Sequence, residues 1–146
     1  MGDFIRYILT SENNLTLALV EAGLKEIDPE FALLPDQAAP KSADVLHAGE
    51  IYGDIEINQR EDQVFSEDIE DLRDELTEIE DEGKAGVLTM LDQAVTMVAF
   101  QISEQGHDQY RRIDPLWDWL FDHHPGVLQI DEEGYYSQNE QILGMD

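Results

Sequence analysis

The sequence predicts an α+β fold: a largely antiparallel or mixed sheet of about five strands with helices packed on one face, in the order β-α-β-α-(α)-β-α-β-β. Three observations lead there. Apolar residues make up 42% of the 146, enough to bury a core within a single domain over residues 1–146. Some stretches alternate apolar and polar residues with the period of a strand, while others repeat with the period of a helix. The C-terminal stretches are short and separated by tight-turn residues, which suits antiparallel pairing.

Residues 4–10, FIRYILT, are rich in β-formers and read as the first strand. Ser11 or Asn14 can cap a helix that runs to about Ile27 and is stopped by Pro29. Leu17, Val20, Leu24 and Ile27 fall on one face of it. Leu15, Leu19 and Ala22 lie opposite, so its first turns are expected to be buried on both sides. Glu21 and Lys25 form a favourable i,i+4 pair. Residues 29–44 carry three of the five prolines and read as a loop. In residues 49–58, GEIYGDIEIN, the residues Ile51, Gly53, Ile55 and Ile57 point one way. Tyr52, Asp54, Glu56 and Asn58 point the other, which makes a half-exposed strand with a charged outer face.

Ser66 can cap an acidic helix over 67–82 that ends at Gly83, with Ile69, Leu72, Leu76 and Ile79 as its core stripe. Residues 85–92 read as a short helix and 95–102 as a strand, from the β-branched and aromatic content of the latter. One helix over 85–99 is the alternative, because Val87, Leu91, Ala94 and Val98 share a face. Asp114 suits an N-cap and Pro115 a first helical position, with His123, His124 and Pro125-Gly126 closing that helix. Residues 126–143 read as strands joined by turns at 132–134 and near 139–140.

Charge excludes more than any motif does. Thirty-four acids against eight bases give a formal net charge of −26. A direct nucleic-acid ligand or an anionic membrane would face that field without a basic stripe to meet it, Arg111-Arg112 being the only adjacent basic pair. There are no cysteines, so disulfides, thiolate metal sites and cysteine nucleophiles are absent. The longest apolar run, residues 85–102, is interrupted by Asp92, Gln93 and Gln101, which argues against a membrane span. The first residues carry Asp3 and Arg6 and lack a signal-peptide pattern. The expectation is a cytoplasmic protein without a cofactor.

The acidic helix is the foremost candidate site. Ten of residues 67–82 are acids and one, Arg73, is basic. Nine net charges over roughly 24 Å is about one per 2.7 Å, against about one per 1.7 Å in duplex DNA. Glu67, Glu70, Asp71, Asp74, Glu78 and Asp81 form its outer face. Pairs such as Glu67–Asp71, Glu70–Asp74 and Asp71–Glu75 oppose the helix by roughly 0.2–0.5 kcal/mol each. Glu80, Asp81 and Glu82 sit at the wrong end of the dipole. Burial of the stripe, counterions or a basic partner must offset this. A charge run is more often a solvated face, and solvent adaptation is one version of that; three lysines fit it, but ten glutamines and an excess of isoleucine over valine do not.

Other candidates are weaker. Asp54 and Glu56 could offer oxygen ligands to Mg²⁺ or Ca²⁺, but the position two beyond Glu56 is Asn58 where a nuclease-like site would want a lysine. His107, His123 and His124, with Asp108 and Asp122, lack the i,i+4 pairing that chelates zinc on one helix face, and His47 stands alone. No serine lies in a Gly-x-Ser-x-Gly elbow and no phosphate-binding glycine loop occurs. Trp119 lies at the edge of an apolar arc of Leu116, Trp117, Leu120 and Phe121, beside Asp118 and Asp122. Trp119, with Tyr135 or Tyr136, is an expected affinity anchor for a cationic partner.

These readings converge on a non-enzymatic binding or regulatory protein that engages a basic protein through its acidic helix, as a DNA mimic or an immunity-type inhibitor. Two alternatives stand beside it. One is a metal-dependent hydrolase or nuclease-like enzyme using Asp54 and Glu56. The other is a subunit of a larger assembly whose acidic face is merely solvated.

Overall fold

In a computed structural model, which describes residues 4–38, 41–102, 114–131, 133–137 and 140–144, the chain is α+β with four helices and eight strands among the described residues. In chain order these are β1 (Phe4–Leu9), α1 (Leu17–Ile27), β2 (Phe31–Pro35), β3 (Ser42–His47), β4 (Glu50–Gln59), α2 (Gln63–Thr77), α3 (Lys84–Asp92), β5 (Thr96–Ile102), α4 (Asp114–His123), β6 (Gly126–Ile130), β7 (Gly134–Ser137) and β8 (Glu140–Gly144). The strands form one sheet in the order β2-β3-β4-β5-β1-β6-β7-β8. Every neighbouring pair is antiparallel.

Eight strands replace the expected five. The loop expected over 29–44 instead contains β2 and the first half of β3, and the tail contributes three strands. The prolines misled because an edge strand tolerates them: β2 is the sheet's edge, and Pro35 stands at its end. The stretch 85–102 divides into helix and strand, with the break at 93–95.

The expectation that helices cover one face is wrong, and β1 explains why. Tyr7, Leu9 and Ile5 are buried with α1 and α4, through Val20, Leu24, Leu116, Trp117 and Leu120. Ile8 is buried on the opposite side with α2 and α3, through Phe65, Ile69, Leu72, Leu76, Val87 and Leu91. An apolar run such as Tyr7-Ile8-Leu9 feeds both faces, which is the signature of a strand covered on both sides. The sheet therefore lies between two helical layers.

Local corrections have similarly plain causes. Thr16, not Ser11 or Asn14, caps α1, its side chain accepting from the Leu19 N–H at 3.2 Å. Asn13 instead turns the chain, accepting from the Leu15 N–H and donating to Ser11 O and Thr96 Oγ1. Leu19, Ala22 and Ile27 are exposed, so α1 is buried on one side only. A register shift between Val45 and Leu46 makes Tyr52 the extra residue of a β-bulge in β4. The bulge reverses the phase of the strand, so Tyr52 is buried and Ile51 lies off the face of Gly53, Ile55 and Ile57.

The β2 edge is closed to strand addition. Its outward N–H groups are those of Phe31 and Leu33, since Asp36 N–H bonds inward to Ser42 O and Pro35 has no N–H. The Phe31 N–H bonds to Asp28 O at 3.1 Å, and the Leu33 N–H to the Glu21 carboxylate at 2.7 Å. Glu21 thus turns to the sheet edge, where the sequence suggested a pairing with Lys25.

Candidate functional site

The acidic helix starts earlier and ends earlier than its composition suggests. Asp62 takes the N-cap position with extended backbone, and Phe65 adds an apolar contact one turn before Ile69. The buried stripe is then Phe65, Ile69, Leu72 and Leu76, spaced for one helix face. Asp62 makes no side-chain cap bond to the helix. Its carboxylate accepts from the Gln59 N–H at 2.7 Å and pairs with Lys41, contacts that hold its pKa below the usual value, the Lys41 bond foremost. Ser66 is thus inside α2 and not its cap.

The helix stops at Thr77, with Glu78 at the C-cap. Continuing it would have placed Glu80, Asp81 and Glu82 against the negative end of the dipole. Asp81 instead accepts from the Gly83 N–H at 2.8 Å and leads into α3. Glu67, Glu70, Asp71 and Asp74 are all exposed on α2, whereas Glu78 and Asp81, also exposed, lie beyond its last turn. α2 carries six acids and Arg73, hence five net charges. Along about 22 Å that is about one per 4.5 Å, well below duplex DNA. Arg73 is itself committed to Asp92 at the end of α3.

On the sheet below α2 lies a polar network built around Arg6. Arg6 Nη1 donates to Gln129 Oε1 and Asp131 Oδ1, each at 2.8 Å, and the guanidinium lies 5.2 Å from the Phe4 ring centroid. Gln129 is fully buried and donates in turn to Asp131 Oδ1 at 2.9 Å. Asp68 and Glu75, seven residues apart along α2, look onto the same charge. Burial raises the pKa of both, against the pull of Arg6; Asp71, Glu56 and Glu67 push Asp68 further up, as Asp131 and Asp71 do Glu75.

The same side of the sheet carries the acids of β3 and β4. Asp44 and Asp54 are register partners, and Glu56 follows two positions along β4. Burial, then Asp44 and Glu56, raise the pKa of Asp54. Glu56 accepts from Asn58 Nδ2 at 2.7 Å, and Ser42 Oγ lies 3.4 Å away. Among the described residues no group of three or more His, Asp or Glu side chains is arranged to hold a metal. His107, Asp108, Arg111 and Arg112 lie outside those residues.

Trp119 sits on the other side of the molecule. Its ring packs over Gly23 of α1, where a Cβ would collide with it, and stacks on His123 at 4.9 Å. His123 Nδ1 is bonded to Trp119 O at 2.9 Å, and burial, then His123, hold the His124 pKa below the usual value. Trp119 contributes to the α1–α4 layer. It shares no surface with the acidic helix. Tyr135 is fully buried on the α2 side, with its hydroxyl lacking a hydrogen-bond partner among the described residues.

No family model, curated protein or solved structure matches this chain. The geometry therefore carries the functional argument. It unites Glu67, Glu70, Asp71 and Asp74 with Asp54 and Glu56 on one side of the sheet, and separates Trp119 from them. It adds Arg6, Asp44 and Asp68, which sequence reasoning did not single out. A lone base inside the apolar run FIRYIL was the available signal for Arg6. Asp44 gave none once residues 29–44 were taken for a loop.

Proposed function

We propose that this protein is a small binding or regulatory protein whose partner is a basic protein, met on the acidic side of the sheet. One observation supports the reading above the rest: acids from β3, β4 and α2 share a side, where burial first and neighbouring carboxylates second raise the proton affinity of Asp54, Asp68 and Glu75. A field concentrated on one side steers a cationic partner and speeds its association. The line charge of α2 is too sparse for a close copy of a phosphate backbone. The sharper form of the reading is accordingly an immunity-type inhibitor that neutralises a basic protein by covering it.

The test is a pull-down from the native host's lysate with the tagged chain, eluted by a salt gradient, beside a triple variant carrying Asp71→Lys, Asp74→Lys and Glu78→Lys. One dominant basic protein, released at moderate salt and lost in the variant, is the expected result. Its association rate should then fall steeply between about 50 and 500 mM salt, a range over which the screening length shrinks severalfold. A rate that does not change would refute steering.

A further inference from the structure

The α2 side of the sheet is covered over only part of its width. α2 and α3 lie over Ile8, Met97, Val127, Tyr135 and Leu143. Over β2–β4 no helix among the described residues covers the same face. One register row there holds Ala32, Leu46 and Ile51, and the next holds Leu34, Asp44 and Asp54. None of these six belongs to either buried cluster. Leu34 is 58% exposed and Ile51 42%, two large aliphatic side chains standing on a sheet face beside carboxylates.

Shape and charge both specify what fits. Three strands at about 4.8 Å spacing span about 10 Å, the width of one helix at about 10–12 Å. An added strand is not the alternative, because the outward N–H groups of β2 are already taken by Asp28 and Glu21. A second copy is disfavoured, since it would bring another −26 to the same place. The open surface is bounded by carboxylates of Asp44, Asp54 and Glu56, and Glu56 acts on Asp68 of α2 across the boundary. Arg6, within the same face, already exemplifies how a guanidinium seats there, on Asp131 and over Phe4.

We propose that the open face of β2–β4 is the docking site for one amphipathic helix of the basic partner, its apolar stripe on Leu34, Leu46 and Ile51 and its lysines or arginines over Asp44, Asp54 and Glu56. The proposal rests on the basic-partner reading above and gives it an address. It moves the affinity-bearing contacts from Trp119 to two aliphatic residues on the side where the charge is.

Two synthetic peptides of about 18 residues, long enough to cross the sheet at about 1.5 Å per residue, provide the test. Both contain the same leucines and lysines. In one the leucines form a helical stripe, and in the other they are dispersed around the helix. Binding is read by fluorescence anisotropy at about 150 mM salt, where exposed charges more than about 8 Å apart are screened, and mapped by amide chemical shifts. The striped peptide should bind at least about tenfold tighter, since two aliphatic side chains become buried. A chain carrying Leu34→Ser and Ile51→Ser, checked to melt as the parent does, should lose that margin. A chain carrying Asp71→Asn and Asp74→Asn should weaken both peptides alike. Equal binding of the two peptides, or shifts centred on the outer residues of α2, would overturn the docking site. So would self-association of the parent chain through Leu34 and Ile51. None of these outcomes touches the basic-partner reading, which falls only if association with the captured partner ignores salt.

Discussion

Arg6 ties two polar side chains of the β6 end to β1. Its side chain is 15% exposed, and it holds both Asp131 and the fully buried Gln129. Truncation to alanine would leave a carboxylate and an amide oxygen without their donor, at a cost of about 2–4 kcal/mol. Urea unfolding should register that loss in Arg6→Ala, and the double variant with Asp131→Asn should recover part of it. A cost below about 1 kcal/mol would mean that water replaces the guanidinium without penalty. Gly23 makes a second case at this scale. Alanine in a helix interior normally gains about 1 kcal/mol over glycine, but here the added methyl meets the Trp119 ring. Gly23→Ala should therefore destabilise, by about 1–3 kcal/mol, with a change in tryptophan emission; a stabilised variant would mean that the ring moves aside freely. Neither role was legible in the sequence. Arg6 is a lone charge within an apolar strand, but its partners are set by the register of β1 on β6, over a separation that no local pattern encodes. Trp119 lies at the edge of its apolar arc, in the α1–α4 layer and so across the sheet from the acidic helix, a separation that a linear sequence does not show, because it does not say which side of a sheet a helix will cover.

α1, α3, α4, β1, β4 and β5 were legible to within a few residues from apolar spacing, β-former content or capping residues, though the bulge in β4 reversed the phase of its first residues. α2 was found but misframed: Phe65 extended its stripe at one end, and the acids beyond Thr77 ended it at the other. β2 was missed because its signals are those of an edge, a short apolar run ending in proline. That edge is also where a prediction belongs. An unprotected edge strand is a template for pairing with another chain, and Glu21 is the side chain that occupies the Leu33 N–H. Glu21→Ala should free that donor on a strand that also displays Leu34. The variant should form concentration-dependent dimers or larger species by light scattering, most clearly at high salt where the charge of −26 is screened. Glu21→Gln, whose amide oxygen can still accept, should stay closer to the parent. If both variants scatter as the parent does, the turn at Asp28 and Pro35 suffices to close the edge.

At the scale of the whole molecule, the charge proposed to draw a partner must also weaken the fold, and pH separates the contributions. Asp54, Asp68 and Glu75 have folded pKa values above their ordinary values of 3.8, 3.8 and 4.5. As pH falls, the native state takes up those protons before the unfolded chain does, so stability rises through this range and is fully gained below the ordinary values. Two groups act in the opposite sense. His124 has a folded value below its ordinary 6.5, so its contribution is present above 6.5 and is lost as pH falls past its folded value. Asp62, held below 3.8 by Lys41 and the Gln59 N–H, gives up its contribution only when pH falls through that lower value. Relief of general repulsion among 34 acids works in the same direction as the three raised carboxyls. The melting temperature should consequently climb as pH falls toward the ordinary carboxyl values of 4.5 and 3.8, offset in part by His124 below 6.5, and turn down once Asp62 takes up its proton below 3.8. Asp68→Asn with Glu75→Gln should raise the melting temperature at pH 7 and shallow the climb. Added salt at pH 7 should do the same without mutation. A melting temperature that instead falls steadily from pH 7 to 4.5 would mean that cations held by the acidic side, and not burial or mutual repulsion, govern these carboxyls. The open face over β2–β4 would then be a place where the free protein already keeps its charge neutralised, and a basic partner would have to displace those ions to dock.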